Sequence, residues 1–309
     1  MNDEVSPGVA WRWLKAILHP LIYRYAMPPF RILRWKADDY IISQPKLHVQ
    51  RTEDANAIKC IERLLQDLVA HYDIDNLKEL ALDVKNSEAS TFLLIQSAIR
   101  DTHIDACLNI LQHISEFSTP VDTAPDDETV RVTNKLRSTW YHSNAPVDAR
   151  NVGVQPALTI QCAAAACSEK IFFSALGAIS DLAGDLLPMA AIELIGKIRA
   201  DKKLTASFLL NLSIYLANDP PFSTVEDLIV DALQVEVAAI RSLQPANKKQ
   251  ILKLLLQHTR AAAEELYLET RAIMVKEMGG PYKKAKRKAS GHPRTRTPDN
   301  ILTGNISDR

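Results

Sequence analysis

THIDACLNILQHISEF, residues 102–117, is the stretch of sequence that decides the fold class. Its apolar residues recur at spacings of three and four, which is the period of an α-helix and not of a strand. They are Ile104, Cys107, Leu108, Leu111 and Ile114. Residues 58–68 repeat the pattern with Ile58, Ile61, Leu64, Leu65 and Leu68. We therefore expect an all-α protein, and the scarcity of glycine, nine in 309 residues, favours helix as well.

Further helices follow from the same periodicity along most of the chain. We predict them at 54–71, 74–85, 89–100, 102–117, 129–142, 157–183 with a split near Cys167, 186–199, 203–217, 224–243 and 247–278. Short connections make successive helices antiparallel neighbours. No fixed period of about 30 to 50 residues recurs. The expected fold is an irregular stack of antiparallel helical hairpins, either helical-repeat-like or a bundle, with flexible basic segments at both ends.

Proline, glycine and charge divide the chain into five segments. We expect a basic and aromatic N-terminal segment with a linker over residues 1–50, helical subdomains over 51–142 and 157–279, and a disordered basic tail over 280–309. Residues 143–156 contain Pro146, Gly153 and Pro156, which are typical of irregular structure. This stretch is either a domain boundary or a long surface loop.

The tail carries the densest charge. Residues 283–296 (KKAKRKASGHPRTR) hold seven Lys or Arg and no acid. The chain as a whole has 37 basic and 37 acidic residues, so the remainder sums to −7. The core of the run is Lys283, Lys284, Lys286, Arg287 and Lys288. Such a run is typical of a nuclear-import signal or another site for an acidic partner, of an arm that binds nucleic acid, or of a solvated end.

A second basic segment lies near the start of the chain. Residues 11–36 contain six Lys or Arg and no acid, interleaved with aromatic side chains. The segment opens with Trp11, Arg12, Trp13, Leu14 and Lys15. Basic residues beside tryptophan suit the surface of an anionic membrane, so we predict peripheral membrane contact here. Contact with nucleic acid and an ordinary helix docked on the body are the alternatives.

Compartment and membrane topology follow from composition. Acidic residues at positions 3 and 4 argue against a signal peptide, so we expect a protein of the nucleus or cytoplasm. The uncharged run 204–218 is too short and too polar to cross a bilayer, and no transmembrane segment is predicted. No pair of cysteines has C-x-x-C spacing, so reduced core thiols are expected. The cysteines are Cys60, Cys107, Cys162 and Cys167.

Catalytic motifs are scarce in this sequence. Asp181 and Asp185 are one helical turn apart and could hold a metal ion, but a solvated helix face is the simpler explanation. His103 and Cys107 have the spacing of half a zinc site, but Cys107 belongs to an apolar stripe. We assign no catalytic residue, metal or cofactor.

The expected function is a non-catalytic one. Stacked helices present grooves that bind other proteins without any reactive residue, so we predict a protein-interaction or scaffold module with an unknown protein partner. The alternative is a nucleic-acid-associated protein that uses the tail. An all-α enzyme with a carboxylate-bound metal comes third.

Overall fold

The computed structural model describes residues 52–72, 77–84, 87–115, 127–144, 154–184, 186–216, 222–242 and 248–278. These ranges are almost entirely helical, and no strand occurs within them. The all-α prediction is confirmed. Both basic ends and residues 145–153 of the predicted boundary lie outside the described ranges.

The helices are numbered here in chain order. They are α1 (Thr52–His71), α2 (Leu77–Asp83), α3 (Ser87–Ser115), α4 (Asp127–Asn144), α5 (Val154–Cys167), a π-helical turn (Ser168–Phe172), α6 (Ala175–Ala183), α7 (Met189–Leu216), α8 (Phe222–Ser242) and α9 (Lys248–Met278). The π-turn lies at the split predicted near Cys167.

Two helices are longer than the sequence suggested. The predicted pair 89–100 and 102–117 is one helix of 29 residues, α3. The predicted pair 186–199 and 203–217 is likewise one helix of 28 residues, α7. Neither junction contains proline or glycine, so nothing interrupts the backbone hydrogen bonds there. The predicted breaks were wrong because neither junction contains a residue that ends a helix.

The segment from α5 through the π-turn to α6 forms the centre of the described fold. It packs against α7, α8, α9, α1, α2 and α4. Helix α4 also packs against α8, four helices further along the chain. In a repeat stack each unit contacts only its neighbours. Of the two predicted arrangements, these contacts match a bundle wrapped around a central helix.

Small side chains allow the central helix to be enclosed on all sides. Residues 162–167 (CAAAAC) are all buried, at no more than 1% exposed. Helix axes can approach closely where side chains are this small. By length and composition, Leu158–Ala183 could also span a membrane, but 94% of its most apolar window is buried inside the fold. A fully enclosed core helix is apolar on every face because no face meets water, and the same is true of a membrane span.

The core contains helices from both predicted helical subdomains. One cluster joins Leu77, Phe92 and Trp140 to residues of α5, α7 and α8. The other joins the predicted stripe of α1 to α6, α7 and α9. All five residues of that stripe are buried. In the stripe of α3, however, Leu108 is 48% exposed, because the buried face is centred on Cys107 and Ile110.

Candidate functional site

The two segments predicted to contact partners lie outside the described residues. They comprise Lys283, Lys284, Lys286, Arg287 and Lys288 in the tail, and Trp11, Arg12, Trp13 and Lys15 near the start. Their roles therefore stay predictions. The described helices concentrate their polar chemistry elsewhere, in the interior of the bundle.

Asp181, half of the predicted carboxylate pair, lies on the surface of α6 and pairs with a histidine. Its Oδ2 is 2.7 Å from Nε2 of His258 on α9. Gly177, one turn earlier on α6, leaves room for the histidine ring. Asp185 lies outside the described residues. Within the part of the chain that the structure describes, no group of three or more His, Cys, Asp or Glu side chains could hold a metal ion.

His103 and Cys107 occupy separate environments. Nε2 of His103 is 2.9 Å from Oδ2 of Asp201 on α7. Cys107 is buried among apolar side chains, and burial raises the pKa of its thiol to about 12. A zinc ligand must be a thiolate, which this site disfavours. Cys107 is therefore a core residue.

All four cysteines are buried and free, as predicted. Burial also raises the pKa of Cys60 to about 11, with Arg63 opposing the shift. The pKa values of Cys162 and Cys167 are raised by burial as well. Such thiols stay protonated at neutral pH and are weak nucleophiles.

Arg137 of α4 is the centre of a fully buried ion-pair network. Its Nε and Nη2 donate to the two carboxylate oxygens of Glu236 on α8, at 2.7 and 2.9 Å. Its Nη1 donates to Oδ2 of Asp67 on α1 at 2.7 Å. The hydroxyl of Thr133 donates to the other oxygen of Asp67. One guanidinium thereby joins three helices.

Electrostatics keep this guanidinium charged. Burial disfavours the charged form, but Asp67 and Glu236 outweigh that effect and hold the pKa of Arg137 above its ordinary value. Burial raises the pKa of Glu236, and Arg137 opposes the rise. Two-point contact between planar groups is the geometry in which a buried arginine is best compensated.

A second buried pair joins the π-turn to α7. Nζ of Lys202 donates to Oε1 of Glu169 at 2.9 Å. The same ammonium lies 3.8 Å from the ring centre of Phe173 and 4.4 Å from that of Tyr72. A desolvated ammonium gains from both the carboxylate and the aromatic faces. Lys202 therefore fastens α7 to the π-turn and to the end of α1.

His71 at the end of α1 packs against the same turn. Its ring centre lies 5.5 Å from that of Phe172 and 4.9 Å from that of Phe173. Nε2 is 3.3 Å from the hydroxyl of Ser168, and Nδ1 has no hydrogen-bond partner. Burial lowers the pKa of His71 well below its usual value, and Arg137, Lys202 and Arg100 lower it further. The ring is neutral at pH 7.

These residues form a contiguous buried group that we call the polar layer. Its members are Asp67, His71, Tyr72, Gln96, His103, Thr133, Arg137, Ser168, Glu169, Asp201, Lys202, Thr205 and Glu236, and each is at most 4% exposed. The layer surrounds the π-turn, and π-helical turns often accompany special side-chain arrangements. None of its groups reaches a molecule in solution unless the helices move. In this conformation the layer can hold helices in register, but it cannot act on an external substrate.

Sequence reasoning missed the polar layer, although a signal was present. Asp67 and His71 are in phase with the apolar stripe of α1, three residues after Leu64 and Leu68 respectively. Polar residues on a buried face need buried partners. That phase marks both residues as members of a buried network, but it does not identify the partners.

In sequence comparisons, neither a protein-family profile nor a curated protein matches the chain.

Proposed function

We propose that this chain is a non-catalytic helical protein-interaction or scaffold module of the nucleus or cytoplasm. The observation that carries the proposal is that the polar layer is enclosed and that its acidic and basic side chains bind one another. Arg137 and Lys202 hold carboxylates, and His103 holds Asp201. Reactive side chains arranged for catalysis have to reach a substrate.

Helix α4 offers a surface for such an interaction. Val132 and Leu136 lie one turn apart on it, each 38% exposed, with Lys135 exposed between them. Apolar side chains at this spacing are typical of the anchors that helices use in protein contacts. The outer face of α4 is therefore the proposed contact surface.

The double variant Val132→Ser/Leu136→Ser tests this surface in a pull-down with the full chain. We expect it to lose a partner that the unaltered chain retains, because two apolar anchors are removed. The matched control is Leu82→Ser/Leu268→Ser, which removes two exposed leucines from α2 and α9. Equal recovery of that partner by both variants would contradict the proposed surface.

Charge distribution favours a second role for the tail. Residues 51–278 hold 22 Lys or Arg and 31 Asp or Glu, a formal charge of −9. A body of this sign repels phosphate, so contact with an acidic receptor or with nucleic acid requires the basic ends, of which residues 283–296 carry the denser charge. Deleting 283–296 separates these roles: loss of nuclear accumulation alone supports an import signal. Loss of salt-sensitive binding to nucleic acid supports the alternative.

The membrane proposal for residues 11–36 has its own test. Co-sedimentation with anionic vesicles should be lost on deletion of residues 1–40, because the aromatic and basic side chains go together. The same deletion should leave the thermal unfolding of the body unchanged. Vesicle binding that survives the deletion would rule out this contact.

A further inference from the structure

Tyr72 carries a hydroxyl that is buried without a protein partner. The residue is 2% exposed, and its Oη makes no hydrogen bond to the protein. Gln96 on α3 adds a second such group, since its Oε1 accepts from Thr205 while its Nε2 has no partner. A buried donor left unpaired is strongly unfavourable, and native proteins rarely contain one.

Two carboxylates are held by side chains that neighbour the Tyr72 ring. The ring of Tyr72 lies beside the ammonium of Lys202, which donates a hydrogen bond to Glu169. The ring of Tyr72 is also 6.0 Å from the ring of His103, which is hydrogen-bonded to Asp201. Burial is the main cause of the raised pKa of Tyr72; Cys107, Glu169 and Asp201 raise it further, and Arg100 opposes the rise. Both carboxylates thus belong to the surroundings of Tyr72, and neither accepts a hydrogen bond from its hydroxyl.

The hydrogen-bonding needs of these groups fit one ligand. Tyr72 Oη and Gln96 Nε2 supply donors, whereas ionised carboxylates supply acceptors only and have sites for about four hydrogen bonds each. A buried water needs about two to four polar partners. A water accepts from a donor and donates to carboxylates, so it can satisfy both kinds of group at once.

We propose that an ordered water molecule binds inside the polar layer, accepting from Tyr72 Oη and donating to Glu169 and Asp201. The water joins the end of α1 to the π-turn and to α7. The side chain of Gln96 provides a further donor from α3. Four elements of the bundle thereby share one hydrated site.

A crystal structure of the full chain at near-atomic resolution tests the site directly. The expected result is an ordered water within hydrogen-bond distance of Tyr72 Oη and of at least one of the two carboxylates. A direct hydrogen bond from Tyr72 to a carboxylate, or a dry site, would overturn the proposal.

The variant Tyr72→Phe tests the energetics, because it removes only the oxygen. If the hydroxyl is bonded to water, the midpoint of thermal unfolding falls, and the water is lost or displaced in the variant's structure. If the hydroxyl is unpaired, the midpoint stays or rises, and the proposal fails. Tyr267→Phe gives the fall in midpoint for a tyrosine hydroxyl with a direct protein partner, because the Tyr267 hydroxyl is hydrogen-bonded to Glu226.

Discussion

The polar layer and the surface ion pairs of α6, α7 and α9 are built from the same kinds of side chain, but the polar layer is buried and the surface pairs are exposed to solvent. Arg137 is fully buried between two carboxylates, whereas Lys203 is 61% exposed beside Glu265. Bulk solvent competes for every charge on the surface, whereas it does not reach the buried pairs of the interior. The interior pairs must therefore be complete to be tolerated, whereas the surface pairs are nearly optional.

Arg137→Ala should show the largest effect, because it leaves Asp67 and Glu236 buried without a cation. We expect a loss of about 3–5 kcal/mol in the free energy of unfolding, measured by urea denaturation. Arg137→Lys should lose less, since it keeps the charge but not the two-point contact. Lys135→Ala, on the exposed face of the same helix, is the control, and a similar midpoint for the two alanine variants would refute the argument.

Acid should destabilise the protein through His71. The pKa of His71 is lowered in the folded state from the usual value of 6.5. Below about pH 6.5 the unfolded chain therefore binds a proton that the folded chain excludes. Stability should fall as the pH drops from 6.5 towards the folded pKa, by up to about 1.4 kcal/mol per pH unit. Above pH 6.5 the protonation of His71 no longer changes the stability.

The variant His71→Gln isolates that contribution. It should reduce the loss of stability between pH 6.5 and 5. The reduction should be partial, because burial also lowers the pKa of His103, which contributes in the same way. His142→Gln, on an exposed position of α4, is the control. Denaturant midpoints measured across this pH range are the readout, and identical slopes for both variants would exclude His71 as the source.

Gly177 on α6 is buried, whereas Gly196 on α7 is exposed, and the two glycines offer a contrast. A Cβ at position 177 would lie 2.5 Å from Nδ1 of His258, whereas one at position 196 has no atom within 4 Å. Gly177→Ala should displace the ring, weaken its pairing with Asp181 and destabilise the protein by about 1–2 kcal/mol. Gly196→Ala should stabilise by about 0.5–1 kcal/mol through helix propensity. Thermal unfolding of both variants tests the contrast, and equal shifts would contradict it.

The smallest effect is expected at the surface pair itself. Lys203→Ala should change the free energy of unfolding by about 0–1 kcal/mol, because solvent screens its contact with Glu265. Raising the salt concentration should remove even that difference. A loss comparable with that of Arg137→Ala would erase the distinction between the two regions.

Prediction succeeded where the determining interactions are local. The helix that ends before Gly279 was predicted at 247–278 and is found at Lys248–Met278. The two long helices, α3 and α7, were each predicted as two shorter ones, with junctions at residue 101 and at residues 200–202. Asp201 lies on a buried face of α7, where a hydrogen bond with His103 compensates for the loss of water. That compensation depends on a residue 98 positions away, which periodicity alone does not reveal.

The sequence by itself determined the all-α class, most helix positions and the buried state of the four cysteines, because apolar spacing and chain breakers act within a few residues. Only the tertiary structure decided which helix became the centre and which polar side chains met inside it. Arg137 meets Asp67 across 70 positions and Glu236 across 99. Burying a charge is tolerable only beside its partner, and at such separations the packing of the whole bundle selects that partner.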